Sequence, residues 1–217
     1  MVSVKVKWEF GETSGRIIEA GGPALLLAHG AGAGHDHPLM TGLATALSSL
    51  GFTVMTFNYP YTEAGRRRPD RTEKLLACHR AVLDWLTVRS GGVVSAGRSM
   101  GGRMATYLAA EGAPCLALAL FAYPLHPLGR PDSLRAAHLA GITRPMLFVV
   151  GTRDEMCRMD LFDELVRPLP TVTTHLLEGA DHGWRVKGRP YPELAAEAAA
   201  AVRAFVDGFA GHGPERP

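Results

Sequence analysis

Apolar residues in this chain fall into two kinds of pattern. The first is short and unbroken: ALLLA at 24–28, TVMTF at 53–57, VVSA at 93–96, LALALFA at 116–122 and MLFVV at 146–150. Runs of this length without polar alternation predict strands buried on both faces, as inside a parallel sheet. Residues 171–177 alternate more and predict a strand nearer the sheet edge. Residues 2–10 and 16–19, with turn signals at Gly11 and at Thr13-Ser14-Gly15, predict a hairpin at one edge.

The second pattern recurs every three to four residues. Leu39, Leu43, Leu47 and Leu50 form one such stripe, and Leu75, Cys78, Val82 and Leu86 form another. Met100, Met104, Tyr107 and Leu108 make a third, with Gly112 placed to end it, and Leu194, Ala198, Val202, Phe205 and Phe209 make the last. These are the core faces of amphipathic helices. Strand and helix alternate, which predicts a mostly parallel sheet with helices on both faces. Function in such sheets collects at the carboxyl ends of the strands. The expected organisation is one α/β domain over residues 1–210, with 211–217 a frayed tail.

Composition narrows the class. The 217 residues carry a net charge of +2 with both signs mixed, so no nucleic-acid partner is expected. Cys78, Cys115 and Cys157 are widely spaced with no C-x-x-C, which reads as buried thiols in a reducing compartment. The start MVSVKVKWEF has no apolar leader, and no run is long enough to span a membrane, so a cytoplasmic protein is expected.

Candidate chemistry lies where VVSA meets the third helix. Gly97-Arg98-Ser99-Met100-Gly101 fits G-x-S-x-G, with a buried strand before it and a helix after. In a nucleophile elbow the central serine is held on a sharp turn, and neighbouring chain passes too close at −2 and +2 for side chains. Chance supplies roughly 0.1 such matches in a chain this rich in glycine, so partners must decide. A serine hydroxyl needs a base, and the base needs an orienting carboxylate. The chain order in this arrangement is serine, acid, histidine. MLFVV runs into Gly151-Thr152-Arg153-Asp154, which puts Asp154 at a strand-end turn. His182, in Gly179-Ala180-Asp181-His182-Gly183-Trp184, lies between the last strand and the last helix. Glu155, Asp160, Asp163 and Asp181 are weaker rivals for the acid. His138, His175 and His212 are weaker rivals for the base. The oxyanion would be held by the Met100 N–H at the helix start. A second N–H comes from the loop His29-Gly30-Ala31-Gly32-Ala33-Gly34, with Ala31 preferred over Gly32.

The set HGAGAG, GRSMGG, GTRD and GADHGW resembles the α/β-hydrolase superfamily, and most of all its small, capless, dienelactone-hydrolase-like members. Tyr59-Pro60-Tyr61 and Tyr123-Pro124-Leu125-His126-Pro127 are similar to the testis-expressed and chromatin-complex-associated branch. The resemblance covers residues 20–210 and implies Ser99 as nucleophile, Asp154 as acid and His182 as base. The chain departs from true dienelactone hydrolases in having serine rather than cysteine at position 99. Residues 123–145 are too few for a cap domain.

The expected activity is hydrolysis of a small carboxylic ester or related acyl substrate. A thioesterase or acyltransferase would use the same groups, and a catalytically silent scaffold is a reading of another class. No cofactor or metal is expected. Glycines at 30, 32 and 34 do not fit G-x-G-x-x-G, and His35-Asp36-His37 reads as a helix N-terminal loop. Arg66, Arg67, Arg68 and Arg71 form a basic cluster that reads as a solvated loop, or as an attractor of anionic substrates if it rims the mouth. Ser95 is expected inside the strand with its hydroxyl satisfied locally.

Overall fold

The computed structural model describes residues 1–210. Eight strands form one sheet: β1 (Val2–Trp8), β2 (Gly11–Ile18), β3 (Ala24–Ala28), β4 (Thr53–Phe57), β5 (Val93–Arg98), β6 (Ala117–Phe121), β7 (Met146–Gly151) and β8 (Val172–Leu177). Their order across the sheet is β1-β2-β4-β3-β5-β6-β7-β8. Pairing is parallel from β4 to β8, and β1 and β2 add antiparallel at one edge.

The unbroken apolar runs follow from burial on two faces. Along β3, Leu25 and Leu27 pack toward α1 (Pro38–Ser49) and α6 (Tyr191–Ala210). Ala24, Leu26 and Ala28 pack toward α3 (Thr72–Ser90) and α4 (Met100–Ala110). Side chains alternate across a strand, so neither parity can be polar. Beyond β6, Leu118 and Leu120 meet Phe148, Val150 and α5 (Met159–Leu165). As the alternating pattern predicts, β8 is the edge strand. Within it only Thr173 is exposed and only Leu177 is fully buried.

Two elements differ from expectation. The hairpin turns at Glu9-Phe10, and Thr13-Ser14-Gly15 lies inside β2 rather than in a turn. Gly15 is closely packed: a Cβ there would lie 2.7 Å from the movable Met55 Cε and 3.1 Å from the Thr56 carbonyl oxygen. A four-residue helix, α2 (Pro60–Glu63), also interrupts the long loop after β4. Between β6 and β7 the only regular element is a 3₁₀ turn at Leu139–Gly141, so no cap covers the sheet there. Among the described residues no helix is long and apolar enough to cross a membrane.

Candidate active site

Adjacent strands bring the first two parts of the site together. β3 and β5 are neighbours with Ala28 opposite Gly97, so the loop after β3 meets the turn after β5. That turn is strained: Ser99 has φ 53° and ψ −116°, a region costing a side-chain-bearing residue on the order of 1–3 kcal/mol. Both bracketing glycines are sterically required. A Cβ on Gly97 would lie 2.3 Å from the Gly101 carbonyl carbon, and one on Gly101 would lie 2.3 Å from the Ala28 carbonyl oxygen. Gly102 is similarly confined, 2.8 Å from the Gly97 carbonyl oxygen. Ala122, just past β6, and Trp184, two residues past His182, are the other non-glycine residues with positive φ among those described.

Asp154 and His182 arrive from the next strand ends. Gly151 closes β7 against the Ala180 carbonyl, and Arg153 N–H donates to that same oxygen at 3.0 Å, which docks the two loops. His182 Nε2 lies 2.9 Å from Ser99 Oγ. Its Nδ1 lies 2.9 Å from both carboxylate oxygens of Asp154. Asp154 is buried and also accepts the Met156 N–H at 2.8 Å. The carboxylate therefore holds Nδ1–H and leaves Nε2 free to accept from the hydroxyl.

The rivals are engaged elsewhere. Asp181 accepts from the backbone and guanidinium of Arg185. Asp160 pairs with Arg158 and Asp163 with Arg167. Glu155 receives only the His182 N–H, at 3.4 Å. His175 bonds Glu197 on α6, and His138 bonds Thr106 on α4. His212 lies outside the described residues. Ser95 is buried, and its Oγ has no partner, contrary to expectation.

Met100 is the first residue of α4, where a backbone N–H has no intrahelical acceptor. Ala31 follows Gly30, which packs against Ser99; a Cβ on Gly30 would touch Ser99 Cβ at 3.4 Å. The Gly30 carbonyl is held from behind by His29 Nδ1–H at 2.7 Å, Ala33 N–H at 3.3 Å and Tyr61 O–H at 3.4 Å. In a trans peptide the next N–H points the opposite way, so these bonds fix the direction of the Ala31 N–H. Tyr61 O–H also donates to the Ala31 carbonyl at 2.9 Å.

Sequence reasoning missed His29, Tyr61 and Arg98. His29 is buried, donates through Nδ1 and accepts the Tyr59 N–H at Nε2 (3.0 Å), which fixes a neutral tautomer. Burial pushes its pKa down to about 4. The signal was a histidine at the end of a wholly apolar strand. Arg98, the residue between Gly97 and Ser99, is nine-tenths buried and donates to the His182 carbonyl through Nη2, while its Nε has no partner. Its signal was a charge continuing a buried run.

Elsewhere, His37 caps α1 by accepting the Leu39 N–H, so the His35-Asp36-His37 stretch is a helix N-terminal loop. Arg66 is exposed and paired with Asp70 at 2.8 Å.

Residues 21–207 match the alpha/beta hydrolase domain family. The chain belongs to that family. Among curated proteins it is 32% identical over 181 residues to an uncharacterized protein of Mycobacterium tuberculosis. That alignment takes in 73% of this chain and 60% of the relative, so the chain spans about 60% of the relative's length. Solved α/β hydrolases share its fold. An alpha-beta serine hydrolase homologue from Coxiella burnetii superposes with a TM-score of 0.73 at 21% identity, covering 92% of this chain and 96% of that one. Dienelactone hydrolase from Anabaena variabilis gives 0.74 at 21% identity, covering 94% and 96%. The fold is thus that of the small, capless, dienelactone-hydrolase-like members of the family.

Proposed function

We propose that this α/β hydrolase is a serine hydrolase acting on a small carboxylic ester or related acyl substrate in the cytoplasm. The observation that carries the reading is the continuous run from Ser99 Oγ through His182 to Asp154, with 2.9 Å at each contact. Ser99 Oγ attacks the acyl carbon while His182 Nε2 takes its proton. Asp154 keeps the imidazole in the right tautomer and faces the imidazolium that forms. The Met100 and Ala31 N–H groups receive the oxyanion, each donor being worth about 3–4 kcal/mol in the transition state. Collapse of the tetrahedral species expels the alcohol, protonated by His182. Water then attacks the acyl-enzyme with His182 again as base, and Ser99 is restored. With no cap over the sheet, the substrate is small or reaches Ser99 from an open face. The free, buried Cys78, Cys115 and Cys157 support a reducing compartment.

The test is a fluorophosphonate probe. The wild-type chain is expected to label, and Ser99→Ala to fold with the same circular dichroism and melting behaviour but not label. An unlabelled wild type, or a Ser99→Ala protein that labels as well as wild type, overturns the assignment and restores the silent-scaffold reading.

A further inference from the structure

Asp154 is carried by a stretch without regular structure. Residues 152–158, between the end of β7 and the start of α5, are neither strand nor helix. Within the stretch, the Met156 N–H donates to Asp154 Oδ1 at 2.8 Å and the Cys157 N–H donates to the Asp154 carbonyl at 3.0 Å. These bonds tie the carboxylate to residues 156 and 157. The near half of the stretch is docked by the Arg153 N–H on the Ala180 carbonyl. Its far half is held from the other direction, by His126 in Tyr123-Pro124-Leu125-His126-Pro127, the segment after β6.

His126 grips that far half at two points. Its N–H donates to the Met156 carbonyl at 3.1 Å, and its Nε2 accepts the Arg158 N–H at 3.2 Å. An accepting Nε2 leaves the ring proton on Nδ1, which donates to the Pro127 carbonyl at 3.0 Å. Both ring nitrogens are thus engaged, and the residue is 2% exposed. The segment that carries it is stiff. Proline at 124 and 127 fixes φ and disfavours helical backbone at the residue before it. The Arg135 N–H donates to the Leu125 carbonyl, and the Tyr123 O–H donates to the Arg135 carbonyl, each at 2.8 Å. The same device stands on the other side of Ser99. β3 and β6 are the two neighbours of β5. After β3, His29 also donates Nδ1–H to the carbonyl of the next residue and accepts at Nε2 a backbone N–H from the chain beyond the adjoining strand. His29 clamps the loop after β3, and His126 clamps the stretch that holds Asp154.

We propose that His126 is a positioning residue for Asp154, setting through Met156 and Arg158 where the carboxylate meets His182. The inference rests on Ser99, His182 and Asp154 as the reacting set. The path is continuous. His126 holds the Met156 carbonyl and the Arg158 N–H, the Met156 N–H holds Asp154 Oδ1, and Asp154 faces His182 Nδ1 at 2.9 Å. A misplacement of about 1 Å from a change away from the chemistry costs about 10²-fold in rate. His126 touches neither Ser99 nor His182 in these bonds, so its loss changes how fast the ester reacts rather than how tightly it is held.

Two substitutions separate the ring's hydrogen bond from its bulk. His126→Phe keeps an aromatic ring and removes both nitrogens, while His126→Gln keeps an acceptor at the reach of Nε2. On 4-nitrophenyl butyrate, His126→Phe is expected to lower kcat about hundredfold with KM within about twofold, and His126→Gln to recover at least about tenfold of that loss. In an Asp154→Asn background, His126→Phe is expected to change the residual kcat by less than about threefold, because the alignment it guards is already lost. An unchanged kcat in His126→Phe, a Gln variant no faster than the Phe variant, or the same fall in both backgrounds overturns the proposal. If His126→Phe does not fold, His126→Asn takes its place, being too short to reach the Arg158 N–H. A second reading needs no turnover. The proton on His182 Nδ1, identified in NMR spectra by its absence from His182→Gln, is expected to be protected from exchange in the wild type and in His126→Gln, and to exchange faster in His126→Phe. Equal exchange in all three overturns the proposal. A chain that passes this reading yet never labels with a fluorophosphonate fails only as a serine hydrolase. One that labels but whose His126→Phe variant is unaltered fails only in the role given to His126.

Discussion

The two flanks of Ser99 are built on opposite principles. Toward His182 the reactive polar atoms are paired: hydroxyl to imidazole, imidazole to carboxylate, and carboxylate to a backbone N–H. Arg103, one turn along α4, is the reverse: it is half-buried, and its buried Nε has no partner. Paired groups have fixed positions, which a proton relay needs.

Breaking the paired flank has the largest expected effect. Asp154→Asn leaves the shape intact but presents the wrong partner to His182 Nδ1, and kcat/KM on a neutral nitrophenyl ester should fall about 10⁴-fold. A fall of less than tenfold would mean that Asp154 does not orient the base. Next comes the support beneath both flanks. Gly101→Ala forces a methyl to 2.3 Å from the Ala28 carbonyl oxygen, where backbone on both sides must yield. The expected loss is on the order of 3 kcal/mol in urea unfolding. Unchanged stability would show that the elbow has room to relax.

The smallest effect separates the flanks most finely. His138 and His29 both have pKa values pushed down to about 4, in each case first by burial. At His138 the next cause is the charge of Arg103, whereas His29 answers to its Gly30 bond, His35 and Asp36. A cation nearby disfavours imidazolium, so Arg103→Gln should raise the His138 pKa toward 6.5 and leave His29 where it is. Titration of the ring resonances by NMR checks this, and a His138 that does not move would place Arg103 away from the segment after β6.

Much of this was legible beforehand, for identifiable reasons. Strands β3 to β7 and the four longer helices followed from spacing, because burial on both faces of a sheet leaves no polar parity and burial on one face of a helix leaves a stripe. Gly15 misled, since glycine marks close approach as well as turns, and only the position of Met55 tells which. The Ser99, Asp154 and His182 set was legible because each sits at a strand end and their chain order is characteristic. Arg98 lay in full view between Gly97 and Ser99, yet nothing local says that its guanidinium reaches a carbonyl on the His182 loop.

Taken alone, the chain determined its layers and its elbow, since local spacing and backbone sterics set these, and it singled out Asp154 and His182 by their order at strand ends; that the three groups meet was decided by the sheet. Tertiary structure alone decided which charges are cancelled. Arg66 finds Asp70 four residues away. The chain beyond β6 reaches α4 only through the fold, where His138 bonds Thr106 one turn from Arg103. Coulomb energy depends on distance through space and on the solvent between, and spacing along the chain encodes neither.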